Sequence, residues 1–192
     1  MTAVPRGSFM SLEEYFQLGE RDPAKRYEFI DGQVTLLPRD TPNQSTIDAN
    51  ISQILLDALQ GRPCLVFDEH TRVRLSAARY VYADIAVSCH PRDRGRVTSL
   101  DSPCLVGEIL TPETAARDRN EKFIAYRDHM SIQEYMLVSS ERPQVEVFCR
   151  ERKNHWSYHI YEERDTVELS RLMIRFAVSA LYSNVTFPTH RR

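Results

Sequence analysis

Two apolar runs in the middle of the chain each carry a single acid, and no other feature constrains the fold as much. In Tyr80-Val-Tyr-Ala-Asp84-Ile-Ala-Val-Ser an aspartate interrupts a stretch suited to a buried strand. In Cys104-Leu-Val-Gly-Glu108-Ile-Leu a glutamate does the same. Side chains alternate across a strand, so Asp84 shares a face with Tyr82 and Ala86, and Glu108 shares one with Val106 and Leu110. If the two strands are neighbours, the carboxylates converge. Unpaired anions inside a sheet are costly. A hard divalent cation, held by one or two carboxylates with waters and phosphate oxygens, removes that cost. Each acid also has an ordinary explanation: Asp84 can accept from backbone at a strand end, and Glu108 can pair with Arg72 or Arg74.

The elements around these runs point to a mixed sheet. Ser11-Leu-Glu-Glu14 has the form of a capping box and predicts a short helix through about Leu18. Asp31-Gly32 between apolar runs over Arg26–Leu37 predicts a two-residue hairpin. From Gln44 to Gln60, Ile47, Ile51, Ile54, Leu55, Ala58 and Leu59 fall on one helical face, and Gly61 supplies the stop. Strands are predicted over Cys64–Phe67, Thr71–Leu75, Tyr80–Cys89 and Cys104–Leu110. A long amphipathic helix follows over about Pro112–His129, with Phe123, Tyr126 and Met130 inward. A buried strand over Glu134–Ser139 leads to a terminal meander of Gln144–Arg150, His155–Glu162 and Val167–Leu169. A last helical turn lies near Val178–Tyr182. Strands interrupted by two substantial helices imply an α/β (α+β) domain with a mixed sheet.

Its 192 residues suit one domain. Residues 11–185 are read as that domain, 1–10 as a leader or the remnant of a cleavable tag (Val4-Pro-Arg-Gly-Ser8), and 186–192 as a tail. No apolar run is long enough to span a membrane, and no signal segment is evident, so a cytoplasmic location is expected. The four cysteines, Cys64, Cys89, Cys104 and Cys149, lack C-x-x-C spacing and are expected to be buried thiols rather than zinc ligands. With a net charge of −2, any basic surface that binds nucleic acid must be local or must come from a partner chain.

Two further groups complete the candidate site. Glu28, in Arg26-Tyr-Glu28-Phe-Ile, is a third acid inside an apolar stretch and a candidate metal ligand. Lys122 lies one helix beyond Glu108, where an ammonium can orient water or offset charge on a phosphorane-like transition state. Its i, i+4 spacing from Asp118 is equally that of a routine helix ion pair.

The order acid, acid, lysine resembles the PD-(D/E)XK restriction-endonuclease-like superfamily. More narrowly, the chain resembles the Uma-two family of bacterial restriction endonucleases. The resemblance runs from Ser11 to Tyr182 through Ser11-Leu-Glu-Glu-Tyr15, Tyr27-Glu-Phe-Ile-Asp-Gly32, Tyr80-Val-Tyr-Ala-Asp84, Glu108-Ile-Leu-Thr-Pro112 and Asp118-Arg-Asn-Glu-Lys122 with Tyr126. It implies a sheet flanked by helices, Mg2+ or Mn2+ dependence, and hydrolysis of nucleic-acid phosphodiesters, of DNA in preference to RNA. By position, Asp84 and Glu108 become the motif acids and Lys122 a lysine displaced onto the next helix, since Leu110 occupies the E-x-K position. The chain departs from the pattern at Ala83, where proline usually stands, at Thr111 in place of serine, and at Gln44 in place of a loop histidine. Gln44, with Arg92, Arg94 and Arg119, is a candidate substrate contact. Arg96 in the same loop, and Arg117 and Arg127 on the Lys122 helix, are further candidates for a local basic surface; the alternative is a solvated helix face laced with acids. His155 and His159 are expected to be surface residues on a strand. A fold-retaining binding module without useful catalysis remains the competing expectation, and a homodimer is compatible with either.

Overall fold

The computed structural model describes residues 8–95 and 98–187. The tag-like residues 4–7, Arg96, and residues 188–192 of the tail lie outside the described residues. Ser8–Phe9, expected to belong to a leader, forms β1 and pairs with β3.

Helix α1 (Leu12–Arg21) opens on the predicted capping box: Ser11 accepts from the Glu14 amide, and Glu14 accepts from the Ser11 amide. Strands β2 (Tyr27–Ile30) and β3 (Gln33–Leu36) form the predicted hairpin. Its two turn residues, Asp31 and Gly32, both have positive φ, as a type I′ turn demands. Helix α2 (Pro42–Ala58) begins at a second capping box, Thr41 with Gln44, that places Pro42 in the first turn. Strands β4 (Leu65–Asp68) and β5 (Arg72–Ser76) follow.

The expected single strand over Tyr80–Cys89 is instead two. β6 (Arg79–Tyr82) belongs to a five-stranded sheet of order β1-β3-β2-β6-β5, and β7 (Ile85–Ser88) to a six-stranded one. The chain passes between sheets at Ala83-Asp84, so the acid sits at a strand start and not mid-strand.

The larger sheet has the order β11-β10-β9-β8-β7-β4, with β8 at Leu105–Leu110, β9 at Glu134–Ser139, β10 at Gln144–Arg152 and β11 at His155–Glu162. Only β8 and β9 pair in parallel, which requires a crossover. That crossover is the predicted long helix, present as α3 (Ala115–Arg117), a π-helical stretch (Asp118–Lys122) and α4 (Phe123–Asp128). Met130, expected inward, lies past the helix end and is 55% exposed. The expected terminal meander also separates: β12 (Thr166–Leu169) pairs with β13 (Ile174–Ala177) as a small sheet of its own, before α5 (Val178–Leu181).

One apolar core fills the space between the six-stranded sheet and α2, α5 and the β12–β13 pair, with Ile51, Leu55, Val87, Met136 and Leu181 fully buried. A second lies on the sheet's other face, where Ala86, Val106, Leu110, Tyr126 and Tyr135 meet Val73 and Val81 of the smaller sheet. Gly107, in β8, faces the first of these cores and permits its packing there, because a Cβ would lie 2.8 Å from the Ile85 side chain. Among the described residues no helix is long and apolar enough to cross a membrane.

The cysteine expectation requires correction: Cys64 and Cys89 form a disulfide, while Cys104 and Cys149 are free. The cause is register. Leu65 lies opposite Ser88 across the β4–β7 pair, which brings the flanking residues Cys64 and Cys89 face to face.

Candidate active site

Asp84, Glu108 and Lys122 come together where the two sheets meet the crossover helix. The β7–β8 register, Ile85 opposite Gly107, carries Asp84 to the level of Glu108. Asp84 Oδ2 accepts from the Ile109 amide at 2.6 Å. Glu108 is buried, with Oε2 accepting from Lys122 Nζ at 2.9 Å and Oε1 from the Tyr126 hydroxyl at 2.7 Å. Lys122 Nζ also donates to the Tyr82 carbonyl at 2.8 Å, and lies 3.3 Å from Glu28 and 3.9 Å from Asp118. The i, i+4 pair with Asp118 is thus the longest of its contacts. The π-helical turn places Asp118 and Lys122 on the buried side together, a local widening often found at functional sites.

Glu28 is fully buried and already saturated. One oxygen accepts from the Tyr82 amide and faces Lys122; the other takes the Arg117 guanidinium. Glu28 therefore grips Lys122 and Arg117 and has no free oxygen turned to a ligand. Gln44 reaches the same cavity, but its Oε1 caps α2 by accepting from the Thr41 amide.

The arginines predicted to contact substrate are not at this cavity. Arg92 and Arg94 follow the far end of β7 from Asp84, and Arg94 donates to the Pro63 carbonyl. Arg119 pairs with Glu146 of β10. Arg117 pairs with Glu28 and Glu121, and Arg127 with Asp128, so the laced helix face describes them better than a basic surface does. His155 and His159 are exposed on β11 as expected.

Burial governs the ionisation of the cluster. It pushes the Asp84 carboxyl up to about 6, with Lys122 opposing. Glu108 is pushed well above the usual carboxylate range by burial, again against Lys122. Burial also opposes ionisation of Glu28, but Lys122 and Arg117 outweigh it and hold that carboxyl low. For Lys122, burial is overcome by Glu108, Glu28, Asp118 and Asp84, which raise it. Four acidic side chains thus share two cations, and Asp84 and Glu108 resist ionisation for want of a further positive charge beside them.

Beside Asp84 lies a feature the sequence reading missed. A cavity of 70 Å³ is lined by Asp40, Gln44, Asp48, Glu69 and Asp84, among others. Asp48 Oδ1 is buried there without a hydrogen-bond partner. Burial, then Glu69 and Asp84, push the Asp48 carboxyl up to about 7. An orphaned carboxylate oxygen in a cavity lined by four acidic side chains, Asp40, Asp48, Glu69 and Asp84, fits a hard cation. The sequence signal was available in part, since Asp48 stands one helical turn after Gln44 beside the apolar stripe of α2. Glu69 had none; with Asp68 and His70 it forms a compact turn whose ligand atoms lie within 4.8 Å of one another.

A mixed sheet with two acids at adjoining strands and a lysine on the following crossover helix defines a restriction-endonuclease-like fold. The chain belongs to the Uma2 family, described as "putative restriction endonuclease", whose model matches residues 12–180. It is 32% identical over 179 residues to the uncharacterized protein slr1290 of Synechocystis sp., covering 93% of this chain and 94% of that protein. It is 26% identical over 160 residues to the uncharacterized protein sll1609 of the same organism, covering 81% and 89%. A crystal structure described as "a putative nuclease belonging to DUF820" from Anabaena variabilis has the same fold, with a TM-score of 0.75, 19% identity, and coverage of 91% of this chain and 98% of that one.

Proposed function

We propose that the protein is a metal-dependent endonuclease hydrolysing nucleic-acid phosphodiester bonds, with DNA preferred over RNA and Mg2+ or Mn2+ as cofactor. The observation that carries this reading is the convergence of Asp84, Glu108 and Lys122 in one cavity beside the orphaned Asp48 oxygen. Asp84 and Glu108 would hold the ion, with Asp48 and Glu69 as further oxygen donors on the Asp84 side. A bound ion supplies Lewis acidity and lowers the pKa of an attacking water. Lys122, held by the Tyr82 carbonyl and Glu28, places a fixed positive charge where the phosphoryl oxygens gain negative charge. Glu28 and Arg117 act as positioning residues for that lysine. Tyr126 fixes the Glu108 carboxylate from behind. Gln44 stands at the cavity rim, within reach of a substrate group.

The test is incubation of the protein with single- and double-stranded DNA and RNA in Mn2+ or Mg2+, alongside Asp84→Ala. Metal-dependent cleavage lost in the variant supports the assignment; cleavage unchanged in Asp84→Ala refutes it. One observation favours the second reading, a binding module with weak or no catalysis. Both oxygens of Glu108 already accept a hydrogen bond, which leaves one lone pair on each for an ion and ties this acid into the structure of the cluster. Nucleic-acid binding without cleavage under any metal selects that reading.

A further inference from the structure

The cavity at the acids does not stand alone. Arg26, Leu37, Pro38 and Asp40 line both it and an adjoining recess of 240 Å³ that also holds Arg39 and Lys25. Lys25 and His70 in turn border a larger recess of 660 Å³ floored by Phe16, Arg72 and Tyr82. The three recesses adjoin in a row, a trench-like series whose innermost member, beside Asp84 and Glu108, is a space of 40 Å³.

Its charge is sorted. Arg39 and Arg72 have no carboxylate within ion-pair distance among the described residues, and Lys25 is an exposed ammonium whose carboxylate partner is Asp22. The acids on the trench walls are Glu20, Glu69 and Asp40, and Asp40 is already bound by Arg26. The Arg72 guanidinium lies 5.0 Å over the Phe16 ring, so a cation and aromatic surface occupy the same wall. Cations that track a backbone beside aromatic faces that accept bases are the shared elements of single-strand binding sites.

We infer that this trench binds one strand of nucleic acid, with Lys25, Arg39 and Arg72 on its phosphates and Phe16 and Tyr82 against its bases, and feeds that strand to the acids. The inference rests on the nuclease reading and adds to it both the substrate form, single-stranded or frayed, and the surface that holds it. The 40 Å³ space beside buried Glu108 and Lys122 is about the size of one water and suits an ion. A strand would lie in the recesses of 240 and 660 Å³ that adjoin it, while an intact duplex is convex and would meet only their rims.

The test is fluorescence anisotropy with the full chain in chelator, where no cleavage occurs. The probes are labelled oligodeoxythymidylate, oligouridylate and a blunt DNA duplex of equal length, titrated across a salt series. The wild type is expected to bind the single strands more tightly than the duplex, and the two single-strand arms distinguish DNA from RNA. The triple variant Lys25→Gln, Arg39→Gln, Arg72→Gln is expected to lose binding at least about ten-fold. The slope of log K against log salt should fall by about two, since each phosphate contact contributes roughly 0.7 for a single strand. A matched triple, Arg152→Gln, Lys153→Gln, Arg164→Gln, removes equal charge from distant exposed positions and should retain both affinity and slope. If the trench triple folds poorly, Arg39→Gln alone, at an exposed residue, should lower the slope by about 0.7. Unchanged binding and slope in the trench variants, or tighter binding of the duplex, overturns the inference. If Asp84-dependent cleavage persists in that case, only the trench assignment falls; a wild type that neither binds nor cuts any nucleic acid overturns both.

Discussion

Replacing Lys122 by methionine removes the one ammonium that ties three parts of the site together. Lys122 is 5% exposed, Glu108 is 3% and Glu28 is 0%, so solvent offers little screening. The variant deletes the donors to Glu108 at 2.9 Å and to the Tyr82 carbonyl at 2.8 Å, and the charge 3.3 Å from Glu28. Glu28 retains Arg117, but Glu108 keeps only the Tyr126 hydroxyl. Breaking one side of a buried ion pair typically costs about 3–5 kcal/mol. At roughly 2–4 °C per kcal/mol for a domain of this size, Tm should fall by about 6–20 °C. The loss should be partly reversed in the double variant Lys122→Met, Glu108→Gln, because the stranded carboxylate is gone, giving a coupling of about 1–3 kcal/mol in the double-mutant cycle. Thermal and urea unfolding of the wild type, two single variants and the double variant measure it. A Lys122→Met protein within about 0.5 kcal/mol of wild type, or strictly additive single effects, would refute the electrostatic account of this cluster.

Glu134 gives a pH test away from the site. It is fully buried, its Oε2 has no partner, and burial pushes its carboxyl from 4.5 up to about 7. An acid whose folded pKa is raised favours the folded state most below its unfolded pKa, and that contribution is lost as pH rises from about 4.5 through 7. Glu134→Gln should therefore stabilise the protein at pH 8 relative to pH 4.5 by up to about 3 kcal/mol. A pH-independent difference in urea unfolding between the two proteins would contradict this. Gly107→Ala should destabilise by about 1–3 kcal/mol through overpacking against Ile85, and should lower cleavage because Ile85 and Glu108 flank the clash. Full activity with an unchanged Tm would show that β7 and β8 have slack there. Saturating Mn2+ at about 100 times its Kd should stabilise the wild type by roughly 2.7 kcal/mol, and this gain should vanish in Asp84→Asn. Retention of the gain would place the ion elsewhere, with the turn of Asp68, Glu69 and His70 the next site to test.

What the sequence disclosed and what it hid have physical causes. Asp84 and Glu108 were legible because an acid in an apolar run is expensive unless something compensates it. The capping box at Ser11, like the Asp31-Gly32 turn, is local and reads directly from spacing, whereas the equally local box at Thr41–Gln44 is passed over when Gln44 is read as a substrate contact. The break at Ala83-Asp84 was not legible, since Tyr80–Cys89 keeps an apolar character across the passage from one sheet to the other. Glu28 stands out as an acid inside an apolar stretch and reads as a candidate metal ligand, yet its partners Arg117 and Lys122 are 89 and 94 residues away, and only the fold brings them to it. The Cys64–Cys89 bridge depends on strand register in the same way.

The near-neutral net charge implies that any basic surface for nucleic acid must be local or come from a partner chain, and the distribution of charge bears on where it would lie. The arginines most prominent in sequence, on the Lys122 helix and in the loop after β7, are spent on internal partners: Arg117 on Glu28, Arg119 on Glu146, and Arg94 on a backbone carbonyl. Among the cations not spent in this way, Arg39 and Arg72 with exposed Lys25 lie scattered in sequence yet border adjoining recesses. A phosphate backbone responds to cations within roughly a Debye length, about 8 Å at physiological salt, and not to the sum over the chain. A protein carrying −2 overall can therefore present a positive path to an acidic end-point. That polarity suits hydrolysis: cations draw the strand in, and unpaired carboxylates at the narrow end repel its phosphates unless a divalent ion stands between them. Binding to the trench and occupancy of the acidic end should thus be linked. Mn2+ should tighten the single strand in wild type but not in Asp84→Asn, and equal tightening in both would separate the trench from the acids.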